Sequence, residues 1–162
     1  MTTFTAEKPT GTKKEIYGDL LLQARGLFDG ERDAIANAAN LAALIGFGLE
    51  DLNWSGFYFL KEGELVLGPF QGKPACVRIA LGKGVCGTAA ATRETVVVPD
   101  VHAFPGHIAC DAASQSEIVI PLVKNGTLLG VLDLDAPIPN RFDDEDRKGL
   151  EALAALWISA SA

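Results

Sequence analysis

Cys110 lies in the stretch Gly106-His107-Ile108-Ala109-Cys110-Asp111, which brings a thiol, an imidazole and a carboxylate together. Pro99, Pro105 and Gly106 break regular structure here, so Pro99 to Ser116 reads as a loop that a substrate can reach. The thiolate is the reactive form of cysteine. A protonated His107 would favour it, whereas nearby carboxylates would oppose it. His102 reads as a structural loop residue. Two further thiols, Cys76 and Cys86, bring the count to three. Cys86 sits in the apolar run Val85 to Ala91 and fits a buried small hydrophobe. Cys76 follows Pro74 at the start of a strand. Cys76 and Cys110 are therefore the better candidates for a redox pair, which requires Cα atoms within about 7 Å. A zinc site built from His107, Cys110, Cys76 and Cys86 is disfavoured, because the spacing is irregular and contains no CxxC knuckle.

Strand alternation supplies the rest of a site. In Asn53 to Leu60, Trp54, Gly56, Tyr58 and Leu60 share one face, while Ser55, Phe57 and Phe59 share the other. Two aromatics bracketing a glycine suggest a slot for a small apolar group. In Thr127 to Leu134, continued to Asp135, Val131, Asp133 and Asp135 share a face opposite Leu132 and Leu134. Glu117 opens the neighbouring strand. If the leucines point to helices, three carboxylates converge on the other face; otherwise the acids are solvated and apart. Converging carboxyls would bind an ammonium group. Their mutual repulsion would keep at least one protonated near neutrality. A protonated acid beside a thiol is equipment for reducing a polar X=O bond.

The elements that must position these residues follow from periodicity. Lys13–Phe28 and Glu31–Leu49 read as helices. Strands follow at Asn53–Leu60, Glu64–Leu67 and Cys76–Ala80. A short helix at Gly82–Arg93 and a strand at Thr95–Val98 lead into the cysteine loop. Glu117–Val123 and Thr127–Leu134 form a hairpin around Asn125-Gly126. Phe142–Ile158 is the last helix, with Asp143 as its N-cap. This order predicts an α+β sandwich: a central antiparallel sheet with helices on one face and ligand-covering loops on the other. The 162 residues make one domain, 13–162, preceded by an arm, 1–12.

A net charge of −7 gives no electrostatic footprint for nucleic acid or an anionic membrane. No apolar run approaches a membrane span, and the polar start does not read as a secretory signal. Free thiols then suggest a reducing, cytoplasmic setting.

Taken together, Asn53-Trp54-x-Gly56-Phe57-Tyr58, Leu67-Gly68-Pro69-Phe70-Gln71-Gly72-Lys73-Pro74-Ala75-Cys76, Gly84-Val85-Cys86-Gly87-Thr88-Ala89-Ala90, the run Val101 to Asp111, Ser116-Glu117-Ile118 and Gly130 to Asp135 resemble the free methionine-(R)-sulfoxide reductases. These are stand-alone GAF-domain enzymes. The resemblance implies a GAF fold and a thiol-dependent reduction of free methionine sulfoxide without metal or organic cofactor. It makes Cys110 the nucleophile, Cys76 the resolving cysteine and Cys86 an accessory thiol. Glu117, Asp133 and Asp135 would bind and polarise the substrate, and Trp54 and Tyr58 would surround its methyl group. It further implies a thioredoxin-like reductant and a homodimer. The competing readings are a non-enzymatic GAF sensor of a small ligand or of redox state, and a thiol peroxidase, which would need neither the acids nor the aromatics.

Overall fold

A computed structural model describes residues 3–108 and 110–161. Helices α1 (Lys13–Phe28) and α2 (Ala34–Gly48) come first. They are followed by strands β1 (Trp54–Lys61), β2 (Glu64–Gly72) and β3 (Arg78–Ala80), helix α3 (Gly84–Thr92) and strand β4 (Val96–Val98). After one short 3-10 turn (Val101–Ala103), β5 (Ser116–Lys124), β6 (Thr127–Ala136) and α4 (Asp144–Ala160) complete the chain. The strands form one antiparallel sheet in the order β3-β2-β1-β6-β5-β4. This is the predicted α+β sandwich.

The sheet has two apolar faces. On one, Phe57, Ile118, Leu132 and Leu134 pack with Leu20, Leu41, Ile45 and Leu150 of the long helices. The Phe57 and Phe59 rings lie 5.3 and 5.8 Å from Trp157 of α4. Ser55 Oγ donates to the Ala42 carbonyl of α2 at 3.0 Å. Ser55, Phe57 and Phe59 therefore face the helices, as alternation requires. On the other face, Trp54, Tyr58, Val119 and Val131 pack with Val85, Cys86 and Ala89 of α3. The helices on the first face are fixed by local chemistry. Thr12 and Asp143 cap α1 and α4, each in a reciprocal capping box. Buried Asp146 then ties α4 to α1 by accepting from Tyr17 Oη at 2.7 Å and Lys13 Nζ at 2.6 Å. Ahead of α1, Glu7 and Gln23 exchange two hydrogen bonds, and Pro9 is buried.

Two strands differ from expectation. β2 continues through Gly68-Pro69 to Gly72 rather than stopping at Leu67. β3 pairs only with Glu64–Val66, so Pro69 lies beyond it, where β2 has no neighbour on that side to require an N–H. β3 in turn starts at Arg78, which leaves Cys76 on the connection before it. The hairpin turn is as predicted: Asn125 and Gly126 have φ of 50° and 79°, the left-handed pair a tight two-residue turn demands.

Candidate active site

Register builds the floor of the site. Glu117 on β5 lies opposite Asp135 on β6, which lies opposite Trp54 on β1. These three residues form one row across the sheet. Asp133 sits in the next row of that face, between Val119 and Gly56. The carboxylates therefore converge and are not solvated. Glu117 and Asp133 are 6% and 5% exposed, and Asp135 is half-buried. Burial, and then the charge of Asp135, push Glu117 up to about 8. Burial, followed by Glu117 for Asp133 and by Asp133 for Asp135, holds both aspartates well above the usual carboxylate range. In their neutral forms these acids hydrogen-bond to one another. Asp133 Oδ1 is left buried, with no partner among the described residues. Asp133 is also one of the residues that line the cavity above the floor.

Cys86 reaches the same acids from α3. Burial, then Asp133, pushes its thiol up, so it stays protonated. Ligand atoms of Cys86, Glu117 and Asp133 all lie within 4.8 Å of one another, and this trio is where the described residues could hold a metal ion. The four-ligand set weighed from the sequence does not assemble, because Cys76 and Cys110 are bonded to each other.

Trp54 and Tyr58 form the aromatic wall, with rings 5.9 Å apart. The slot expected over Gly56 is closed. A Cβ on Gly56 would come within 2.3 Å of Phe70 Cβ and 2.8 Å of Phe70 Cα, so β2 fills that space. Phe70 instead stacks on Trp54 at 5.2 Å and extends the wall. Tyr58 Oη donates to the Cys76 carbonyl at 2.8 Å, and Trp54 Nε1 to the Lys73 carbonyl at 3.1 Å. The same two aromatics thus hold the segment that carries Cys76.

Cys76 and Cys110 form a disulfide, with Cα atoms 5.7 Å apart, and Cys110 lines the cavity. On the far side of Cys110 the loop is anchored. Asn53 Nδ2 donates to Asp111 Oδ2 and Ser114 Oγ, both at 3.0 Å. The Ala113 backbone N–H and Asn53 hold the Asp111 carboxyl below its ordinary value. His107 is turned to the acids rather than left in solvent: Nε2 lies 3.7 Å from Glu117 Oε1. Burial lowers its pKa, which favours neutral imidazole. The His102 backbone N–H donates to Asp100 Oδ1, which caps the 3-10 turn, and His102 itself is exposed.

The arrangement is a disulfide-bonded cysteine pair beside a small cavity, with aromatics on one wall and acids pushed toward protonation on its floor. The GAF domain family profile matches residues 15–157. A free methionine-R-sulfoxide reductase of Escherichia coli is 54% identical over 143 residues, covering 88% of this chain and 87% of that protein. The chain belongs to the free methionine-R-sulfoxide reductase family of GAF domains. Solved relatives agree in shape. The Neisseria meningitidis free methionine-R-sulfoxide reductase, in complex with its substrate, superposes with a TM-score of 0.93 at 41% identity, covering 98% of this chain and 95% of that one. The reduced Staphylococcus aureus enzyme gives 0.88 at 51%, with 99% of each chain covered.

Within this GAF frame, Cys86, Cys110, Glu117, Asp133, Asp135, Trp54 and Tyr58 line the same cavity, and Cys76 joins it through its bond to Cys110. Three contributors escape a reading of the sequence. Phe70 was hidden by the breakers before it. Asn53 and Ser114 clamp the cysteine loop through side-chain hydrogen bonds that no periodicity signals. Lys73 and Lys83 also reach the rim of the cavity.

Proposed function

We propose that this chain reduces free methionine-(R)-sulfoxide to methionine. The observation that carries the reading is the pairing of Cys110 with Cys76 where Cys110 shares a cavity with Glu117, Asp133 and Asp135, three acids pushed toward protonation. The names of its relatives support the same substrate. In the reduced enzyme the substrate ammonium docks on the acids and keeps one of them ionised; Asp133 Oδ1 is a ready acceptor. The S-methyl group lies against Trp54 and Tyr58. A remaining carboxylic acid hydrogen-bonds to the sulfoxide oxygen.

Cys110 thiolate attacks the substrate sulfur while the acid protonates the oxygen. The oxygen passes to Cys110 as methionine leaves, which gives a cysteine sulfenic acid. The Cys76 thiol attacks Cys110 Sγ, water departs, and the disulfide of this structure forms. A thioredoxin-like dithiol returns two electrons and two protons. Cys86 serves as an accessory thiol, held protonated against Asp133. A methionine within a polypeptide lacks the ammonium and is excluded. The cycle suits a reducing, cytoplasmic compartment, and the assembly is a homodimer; domain 13–162 is the catalytic unit.

The test is methionine release from free methionine-(R)-sulfoxide with dithiothreitol or thioredoxin as reductant. The (S) epimer, a peptide-bound sulfoxide and hydrogen peroxide serve as comparisons. The expected result is turnover of the free (R) epimer alone. Reduction of peroxide with no sulfoxide consumed would replace the reading with a thiol peroxidase. Cys110→Ser abolishes turnover. Cys76→Ser releases a single methionine equivalent and then stalls with thioredoxin; full recycling in that variant would move the resolving role to Cys86.

A further inference from the structure

Among the described residues eight large apolar side chains are exposed, and three of them, Val77, Leu81 and Ile108, lie on the segments that carry the disulfide or pack beside them. Val77, 61% exposed, adjoins Cys76. Ile108, 38% exposed, lies just before Cys110 and packs its Cδ1 within 3.1 Å of where a Cβ on Gly84 would stand. Leu81, 39% exposed, is on the turn that leads from β3 into Gly84, closed by the Lys83 N–H to Ala80 carbonyl bond. The flank of the disulfide that carries Cys76 is therefore an exposed apolar rim. Both cysteines are themselves partly exposed. On a chain of net charge −7, the charges on this rim are mainly positive. Lys73 and Lys83 are exposed there, and Arg78 adjoins Val77 and pairs with Glu64 at 2.7 Å. The nearby Asp111 carboxylate is engaged by Asn53.

We propose that this rim is the docking face for a protein dithiol reductase, which attacks Cys76 rather than Cys110. The proposal rests on the reductase reading above and extends it to the partner. The partner's chemistry follows from the face: a nucleophilic thiolate set in an apolar surface with acidic residues at its edge. Desolvated apolar contact supplies affinity, and opposite charge speeds encounter.

The exchange balances. The reductant thiolate bonds to Cys76 Sγ, the Cys76–Cys110 bond breaks, and Cys110 leaves as thiolate. The second thiol of the reductant, losing its proton, attacks its own mixed-disulfide sulfur and frees Cys76, which takes up a proton. The reductant ends as a disulfide, oxidised by two electrons. Attack at this sulfur has a consequence for turnover: it delivers the Cys110 thiolate straight into the cavity, ready for the next sulfoxide.

Two measurements test this on the full chain. Val77→Asp and Leu81→Asp, neither of which lines the cavity, are assayed with thioredoxin and, separately, with dithiothreitol. The expected result is a fall of tenfold or more in kcat/KM for thioredoxin, with dithiothreitol-driven turnover within twofold of wild type. Unchanged thioredoxin kinetics, or an equal loss with both reductants, would overturn the docking face. Wild-type enzyme inactive with both reductants would instead overturn the reductase reading on which the proposal rests. Second, oxidised wild-type enzyme is mixed with a monothiol thioredoxin, and the mixed disulfide is mapped by peptide mass. Linkage at Cys76 is expected; linkage at Cys110 would overturn the choice of sulfur.

Discussion

Three carboxyl groups within one small cavity are useful only if they are not all in the same protonation state. An ammonium ligand needs at least one anion, and a sulfoxide oxygen needs a proton. The floor meets both needs because burial and mutual repulsion hold protons that free carboxylates would have lost. Glu117, raised to about 8, is the member that titrates nearest neutrality. The rate of the first methionine release, measured in a single turnover with dithiothreitol-reduced enzyme, should therefore decline as pH rises through about 8. Glu117→Gln should lose that alkaline limb; a rate that keeps rising past pH 9 in wild type would count against the acid. Asp135→Asn removes a carboxyl group that a bound ammonium could keep ionised. It should raise KM for free methionine sulfoxide roughly tenfold or more, as expected for losing the charged partner of the ligand. An unchanged KM would separate Asp135 from substrate binding.

At the scale of elements, the site depends on how closely β1 and β2 approach. The register between these strands shifts between Gly56 and Tyr58, and the bulge brings Phe70 over Gly56. A methyl group at position 56 would meet backbone as well as side chain, so the strands must part. Gly56→Ala should lower stability by about 1–3 kcal/mol, read as a shift of the urea midpoint. It should also weaken substrate use, because Trp54 leans on Phe70. A neutral substitution would mean that the sheet yields there at little cost. The same region marks the limit of sequence reading. Alternation put Asp133 and Asp135 on the face opposite Leu132 and Leu134, but whether that face was covered or solvated depended on α3 and the cysteine loop, which pack on it. Helix ends with a capping residue, such as Asp143, were equally legible. A bulge is set by a cross-strand neighbour, so nothing local distinguishes Gly56 as an open slot from Gly56 as a contact. The Asn53 clamp on Asp111 joins residues far apart in sequence through side chains alone, and it too had no periodic signal.

For the molecule as a whole, an active site full of buried acids is a liability to the fold. The unfolded chain releases the Glu117 proton near 4.5, whereas the folded chain keeps it until about 8. Below 4.5 the carboxyl is neutral in both states, and its full contribution to stability is present. As pH rises from there through 8, the unfolded state gains by ionising and that stability is lost. The steepest slope is roughly 1.4 kcal/mol per pH unit for each such group, and Asp133 and Asp135 act in the same direction. Two groups oppose them on the acid side. Asp143, lowered to about 2 chiefly by its hydrogen bond to Lys13, gives stability that is lost as pH falls below its ordinary value, though this mostly exposed pair is screened by solvent. His107, lowered by burial, loses its share as pH drops below about 6.5. Thermal stability of the reduced, ligand-free enzyme should accordingly fall from about pH 6.5 to 8. A Glu117→Gln/Asp133→Asn double variant, which leaves His107 and Asp143 in place, should flatten that fall and melt higher than wild type at pH 8. Parallel melting curves for the two proteins across this range would show that the floor is better solvated than its burial indicates. A free ammonium ligand should also raise the wild-type melting temperature more at pH 8 than at pH 6, because it compensates the charge that the alkaline fold cannot otherwise carry.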